Sequence, residues 1–134
     1  LPRIVGISKA LELCFSGEIF SAEDALKFGL VNYTVEPSNL MMETKKIAYK
    51  LISNTAPVSV ALTRHMIWDM SSAPSPEEAH ILDSKSINSR GASEDAVEGV
   101  MSFLEKRKAK YVNKISSDMP SFFPWRQSIF KDKK

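Results

Sequence analysis

"SPEEAHILDSKSINSRGASEDAVEGVMSFLEKRKAKY", residues 75–111, decides the fold. It opens on Ser75-Pro76-Glu77-Glu78: a hydroxyl placed to cap a helix, a proline at the first helical position where its missing N–H costs nothing, and a capping-box Glu. No other helix start in the chain is as strong. This helix is expected to reach about Ser89, where Gly91 breaks it. Ser93 then caps a second helix, 94–107, with Val97, Val100, Met101 and Leu104 as its inner stripe. Two capped helices in succession make the class mainly α.

Moving towards the N-terminus, the same grammar repeats. Pro57 starts a helix that runs to about Met70, followed by the turn "SSAPS". Leu40, Ile47 and Leu51 recur at helical spacing over about 39–54. Ser21 and Asp24 form a capping-box pattern closed by Gly29, and Ala10, Leu11, Cys14 and Phe15 make a helix stopped by Gly17. Between them and residue 39, "LVNYTV" (30–35) is β-branched and aromatic, which predicts a short strand ended by Glu36-Pro37. One or two short strands are therefore expected beside the helices, and a lone strand lacks a partner within the chain. Towards the C-terminus, "PSFFPW" (120–125) is apolar but twice interrupted by proline, so an irregular docked arm is expected. The chain divides into residues 1–37, 38–111 and 112–134.

Composition sets limits on function. With 134 residues, 43% hydrophobic and 25% charged, the chain is long enough for one globular domain and not built like a disordered one. No apolar run approaches the ~20 residues of a membrane span. The single Cys14 excludes an internal disulfide and, without an export signal, points to a reducing, cytoplasmic setting. The opening on Leu-Pro-Arg without an initiator Met suggests a piece of a longer protein.

Charge is unevenly spread. Residues 1–105 carry 9 Lys/Arg against 14 Asp/Glu, whereas 106–134 carry 9 against 2. A basic tail on an acidic body is suited to an anion, although a solvated tail looks the same. The dipole of the last helix accounts for one or two bases at its end, not for Lys106, Arg107, Lys108 and Lys110 together. With Lys106 one turn beyond Phe103, an aromatic ring and an ammonium share one helix edge, which suits a ligand carrying a base and phosphates. Nucleic acid is disfavoured, because Phe122, Phe123 and Trp125 lie in a proline-bound segment rather than along a groove.

Catalytic patterns are weak. The glycines build no phosphate loop, and His65 and His80 fall on different helices without a second ligand at metal spacing, so no metal site is expected. His80, Asp83 and Ser84 lie one helical turn apart, but a hydrolase triad needs a nucleophile elbow and an oxyanion hole. Glu94 and Glu98 suit the positive end of a helix better than an acid/base pair.

"LPRIVGISKALELCFSGEIFSAEDALKFGLVN", residues 1–32, resembles the segment that follows the active-site glutamates in the crotonase, or enoyl-CoA hydratase/isomerase, family. "DAVEGVMSFLEKRKAKY", 95–111, resembles that family's C-terminal helix with its Phe-x-x-Lys-Arg element. The resemblance implies the helical C-terminal portion of a ββα superhelix. Residues 1–37 would end the core, 38–111 would form an oligomerisation region in a trimer or dimer of trimers, and 112–134 would be a basic and aromatic tail. It implies an acyl-CoA thioester as substrate, without a separate cofactor, and the addition of water to a 2-enoyl-CoA. The glutamates and oxyanion N–H groups would precede Leu1, leaving no catalytic residue here and a fragment inactive by itself. Phe103 and Lys106 match the aromatic and lysine that reach a neighbouring subunit's coenzyme A. Arg107 to Lys110 would add field, and Gly91 stands where some members place an aromatic residue. The alternatives are an isomerase parent or a helical interaction module without catalysis.

Overall fold

The computed structural model describes residues 1–125; the remainder of the 112–134 tail lies outside the described residues. The elements are α1 (Pro2–Val5), α2 (Ile7–Ser16), α3 (Ala22–Lys27), a 3-10 turn (Pro37–Asn39), α4 (Leu40–Ile52), α5 (Pro57–Met70), α6 (Pro76–Gly91) and α7 (Glu94–Leu104). The chain forms two compact units, Leu1–Ile47 and the part from Ala48 onward.

In the first unit, Gly6 at φ 80° breaks α1 from α2, and Gly17 at φ 61° ends α2 in the left-handed conformation. Ser21 starts α3 by two bonds. Its Oγ accepts from the Asp24 N–H (3.0 Å), and its hydroxyl donates to Asp24 Oδ2 (2.7 Å). That hydroxyl, followed by Lys27, holds the Asp24 carboxyl below its ordinary pKa. At the other end of α3, Gly29 (φ 72°) donates to the Leu26 carbonyl (3.0 Å) and Leu30 to the Ala25 carbonyl (2.9 Å). These two bonds are the Schellman pattern, with glycine in the left-handed place. Ala10 and Ala25 are buried, and Phe28 packs edge-on to Phe20 (6.0 Å) beneath the Lys9 ammonium (4.7 Å).

The strand expected at 30–35 does not form, and no strand occurs among the described residues. Val31, Tyr33 and Val35 stay exposed. Strand chemistry alone is insufficient: an extended segment is held by the N–H and C=O groups of a neighbour, and no described segment supplies them.

In the second unit α5 packs on α6 and α6 on α7. Val58 and Leu62 of α5 and Leu82 of α6 are its buried apolar residues. Ser86, also buried, donates to the Leu82 carbonyl (2.9 Å) and contacts Met66 Sδ (3.5 Å). The start of α6 falls at Pro76 as expected, but the Ser75 side chain makes no capping bond to the backbone. It bonds the Glu77 carboxylate instead and lowers the Glu77 pKa. Past residue 119 the "PSFFPW" arm lies against α5: Phe123 meets His65 edge-on (4.9 Å), and Trp125 Nε1 donates to Asp69 Oδ2 (2.9 Å).

The stripe read as the inner face of α7 is exposed, with Val97, Val100 and Leu104 each at least 60% accessible. The buried side is polar: Asp95 and Ser102. Asp95 Oδ1 accepts from the N–H groups of Val112 (2.8 Å) and Asn113 (3.2 Å), so the returning segment covers this side and leaves the apolar stripe bare. From the end of α6, Arg90 donates to Asn113 Oδ1 and to the Asp118 carbonyl.

Candidate functional site

The residues of interest gather where α7 stops. The expected end at 107 is wrong by three residues: α7 ends at Leu104, and Glu105 is its C-cap. Lys106 donates its N–H to the Phe103 carbonyl (3.3 Å) and Arg107 to the Ser102 carbonyl (3.0 Å). This is the same pair of bonds that ends α3, with Lys106 at φ 53° where α3 has Gly29. Among the described residues Lys106 is the sole non-glycine at positive φ. A side chain there costs about 1–2 kcal/mol through contact of Cβ with the following carbonyl.

Phe103 and Lys106 therefore do not share a helix edge, as their spacing suggested. The ring stands on the last turn of the helix and the ammonium on the reversal behind it. They nevertheless line one open groove of about 600 Å³, with Asn54, Ser102, Arg107 and Tyr111 among its other walls. Phe103 is 81% exposed, so its ring face is available. Gly99 leaves room for Tyr111, whose Oη lies 3.6 Å from where a Cβ would stand.

Arg107 is engaged rather than free. Its Nη1 and Nη2 donate to Glu98 Oε1 (2.5 Å) and Oε2 (2.8 Å), and its Nε to Glu105 Oε2 (2.6 Å). The Lys110 N–H also donates to Glu98 Oε1 (2.6 Å). Arg107 first and this N–H second hold the Glu98 carboxyl down at about 2, while the two carboxylates raise the Arg107 pKa. The field attributed to Arg107 is thus largely cancelled locally. Among the described residues, no carboxylate pairs with the Lys106 or Lys108 ammonium.

The remaining sequence candidates do not assemble. Among the described residues no hydrogen bond joins His80, Asp83 and Ser84, and His65 is packed against Phe123 and Trp125. Glu98 is not an acid/base partner of Glu94, because its two oxygens are taken by Arg107 and Lys110. No group of three His, Cys, Asp or Glu able to hold a metal occurs among the described residues, and none of their helices is long and apolar enough to cross a membrane. The Glu98–Arg107 pair escaped sequence reading because a separation of nine residues is not a helix-face spacing.

The enoyl-CoA hydratase/isomerase family model matches residues 1–114, and the chain belongs to that family. An enoyl-CoA hydratase of Alternaria alternata is 40% identical over 112 residues, which is 83% of this chain and 37% of that protein. The short-chain-enoyl-CoA hydratase of Clostridium acetobutylicum is 38% identical over 108 residues, 81% of this chain and 41% of that protein. Among solved structures, a probable enoyl-CoA hydratase/isomerase from Mycobacterium abscessus superposes with a TM-score of 0.78 at 30% identity, over 84% of this chain and 44% of that one. The chain spans less than half the length of these relatives.

Proposed function

We propose that this chain is the C-terminal part of an enoyl-CoA hydratase and forms one wall of its coenzyme A site, with Phe103 and Lys106 as the contacts. The observation that carries the reading is the left-handed Lys106. Gly29 does the same backbone task in α3 without strain, so lysine at 106 is best explained by what its ammonium touches. An ammonium is a compact charge suited to a phosphate, and the exposed Phe103 ring offers a face on which adenine can stack. The groove between them accommodates a nucleotide-sized group.

In this reading the whole protein adds water across a 2-enoyl-CoA thioester. Glutamates that move the water's protons, and N–H donors worth about 3–4 kcal/mol at the developing oxyanion, belong to polypeptide outside this chain. Coenzyme A arrives as part of the substrate. The chain's own residues bind and orient the nucleotide end, and the chain by itself is inactive. Full-length protein should hydrate crotonyl-CoA, and Lys106→Ala should weaken coenzyme A binding by about 1.5–3 kcal/mol, the scale of a charge-assisted hydrogen bond. No hydration of any of several enoyl-CoAs, with double-bond migration in its place, would reassign the parent as an isomerase.

A second role rests on a separate observation. The bare stripe of α7 and the groove of about 620 Å³ along α5, walled by Val60, Ile67 and Trp68, are apolar surfaces of the kind subunits cover. We assign them to contacts within a homo-oligomer, a trimer or a pair of trimers. Sedimentation of the full-length protein tests this, and a monomer at micromolar concentration would remove the assignment.

A further inference from the structure

Nothing in the local sequence stops α7 at Leu104. The residues that follow, Glu105-Lys106-Arg107-Lys108-Ala109-Lys110, are all strong helix formers, and neither Gly nor Pro occurs among them. By propensity the helix should run on, yet the chain reverses and places a lysine in a backbone region that favours glycine. A strained residue of this kind persists only where its surroundings over-determine it.

The surroundings that do so can be named. Glu98 takes both terminal nitrogens of Arg107 and the Lys110 N–H. Glu105 holds the remaining Arg107 nitrogen. One carboxylate thus receives three donors from residues 107–110, which a continuing helix would carry away from it. Asp95 fastens the same segment further on, at Val112 and Asn113. Lys106 is the apex of the closed loop.

We propose that Glu98 and Arg107 are positioning residues: their ion pair stops α7 and turns the Lys106 ammonium into the groove beside Phe103. They act on the coenzyme through Lys106, not by touching it. The inference rests on the coenzyme A reading above, and it adds a cause for the geometry that the reading uses. Charge is needed here as well as shape, since the bidentate Arg–carboxylate fork fixes direction as a neutral pair would not.

A double-mutant cycle in the full-length protein tests this, with free coenzyme A as the titrated probe and crotonyl-CoA for kinetics. Lys106→Ala should weaken coenzyme A binding about 10- to 100-fold. Glu98→Gln should weaken it about 3- to 10-fold in the native background and not at all beside Lys106→Ala. KM should rise with kcat held, because the reacting end is gripped elsewhere. Arg107→Gln should weaken binding by a similar factor and add little to Glu98→Gln, and it keeps the test available if Glu98→Gln folds poorly. Additive losses beside Lys106→Ala, or a Glu98→Gln or Arg107→Gln that binds like the native protein, would overturn the positioning role. If Lys106→Ala itself binds normally, the coenzyme A assignment falls instead, and the two failures are told apart.

Discussion

Replacing Lys106 with glycine separates folding from binding, because the two should move in opposite directions. The backbone at 106 sits at φ 53°, where an L side chain costs about 1–2 kcal/mol. Glycine removes that contact but brings about 0.5–1 kcal/mol of extra chain entropy to be lost on folding. The difference leaves Lys106→Gly between neutral and about 1.5 kcal/mol more stable, or up to roughly 6 °C higher in Tm for a domain of 150–250 residues. The same change deletes the ammonium, so coenzyme A affinity should fall by about 1.5–3 kcal/mol. Thermal melts and calorimetric titration of one full-length variant read both. The chain contains its own control: Gly29, at φ 72° with nothing within 4 Å of a built Cβ, ends α3 by the same bonds. Gly29→Lys should lose stability and leave coenzyme A affinity untouched. A lower Tm for Lys106→Gly would show that the left-handed turn carries no strain worth relieving. Unchanged affinity would show that the strain serves something other than the coenzyme.

Three further outcomes are expected. The Glu98 carboxyl should titrate at about 2 rather than at the ordinary 4.5, so the stability it confers is complete above pH 4.5 and is lost as the pH falls towards 2; a carbon-13 titration with its midpoint near 4.5 contradicts the ion pair. Gly99→Ala should be neutral or stabilising by up to about 1 kcal/mol, because the new Cβ meets Tyr111 at an ordinary 3.6 Å; a clear fall in Tm means that Tyr111 cannot accommodate it. Leu62→Ala, at a side chain 1% exposed between α5 and α6, should cost about 2–5 kcal/mol in denaturant unfolding, and a loss under 1 kcal/mol would deny it a core role.

Where the determinant was local, the sequence could be read. Ser21, Pro57 and Ser93 start helices because a hydroxyl or a proline acts within three residues, and Gly17 and Gly29 stop them by supplying positive φ. The end of α7 was missed because its cause is a carboxylate nine residues from the arginine it holds, against helix-forming propensity throughout. The strand expected at 30–35 does not form because, although its side chains suit a sheet, the decision lies with a pairing partner outside the segment. The candidate groove was half legible. Phe103 and Lys106 were picked out and do line one groove, but through a reversal of the chain and not through a shared helix edge.

The two faces of α7 differ: one is tied to the returning segment within the chain, and the other is exposed. On the polar side, Asp95 and Glu98 bind N–H groups and Arg107 of the returning segment, all within the chain. On the apolar side, Val97, Val100, Met101 and Leu104 have periodic spacing and are exposed. Burial of each would contribute at most about 1.5–3 kcal/mol if another surface met it. Polar ties can therefore set the Lys106 turn before any apolar face is covered, because they depend on geometry inside residues 95–113. Covering the stripe would then add stability without changing the direction of the ammonium. Placing order in the turn and cohesion in the stripe lets each be altered without the other, which is why a substitution at Glu98 and one at Val97, which lies outside the groove, should perturb different quantities: affinity in the first case, assembly in the second.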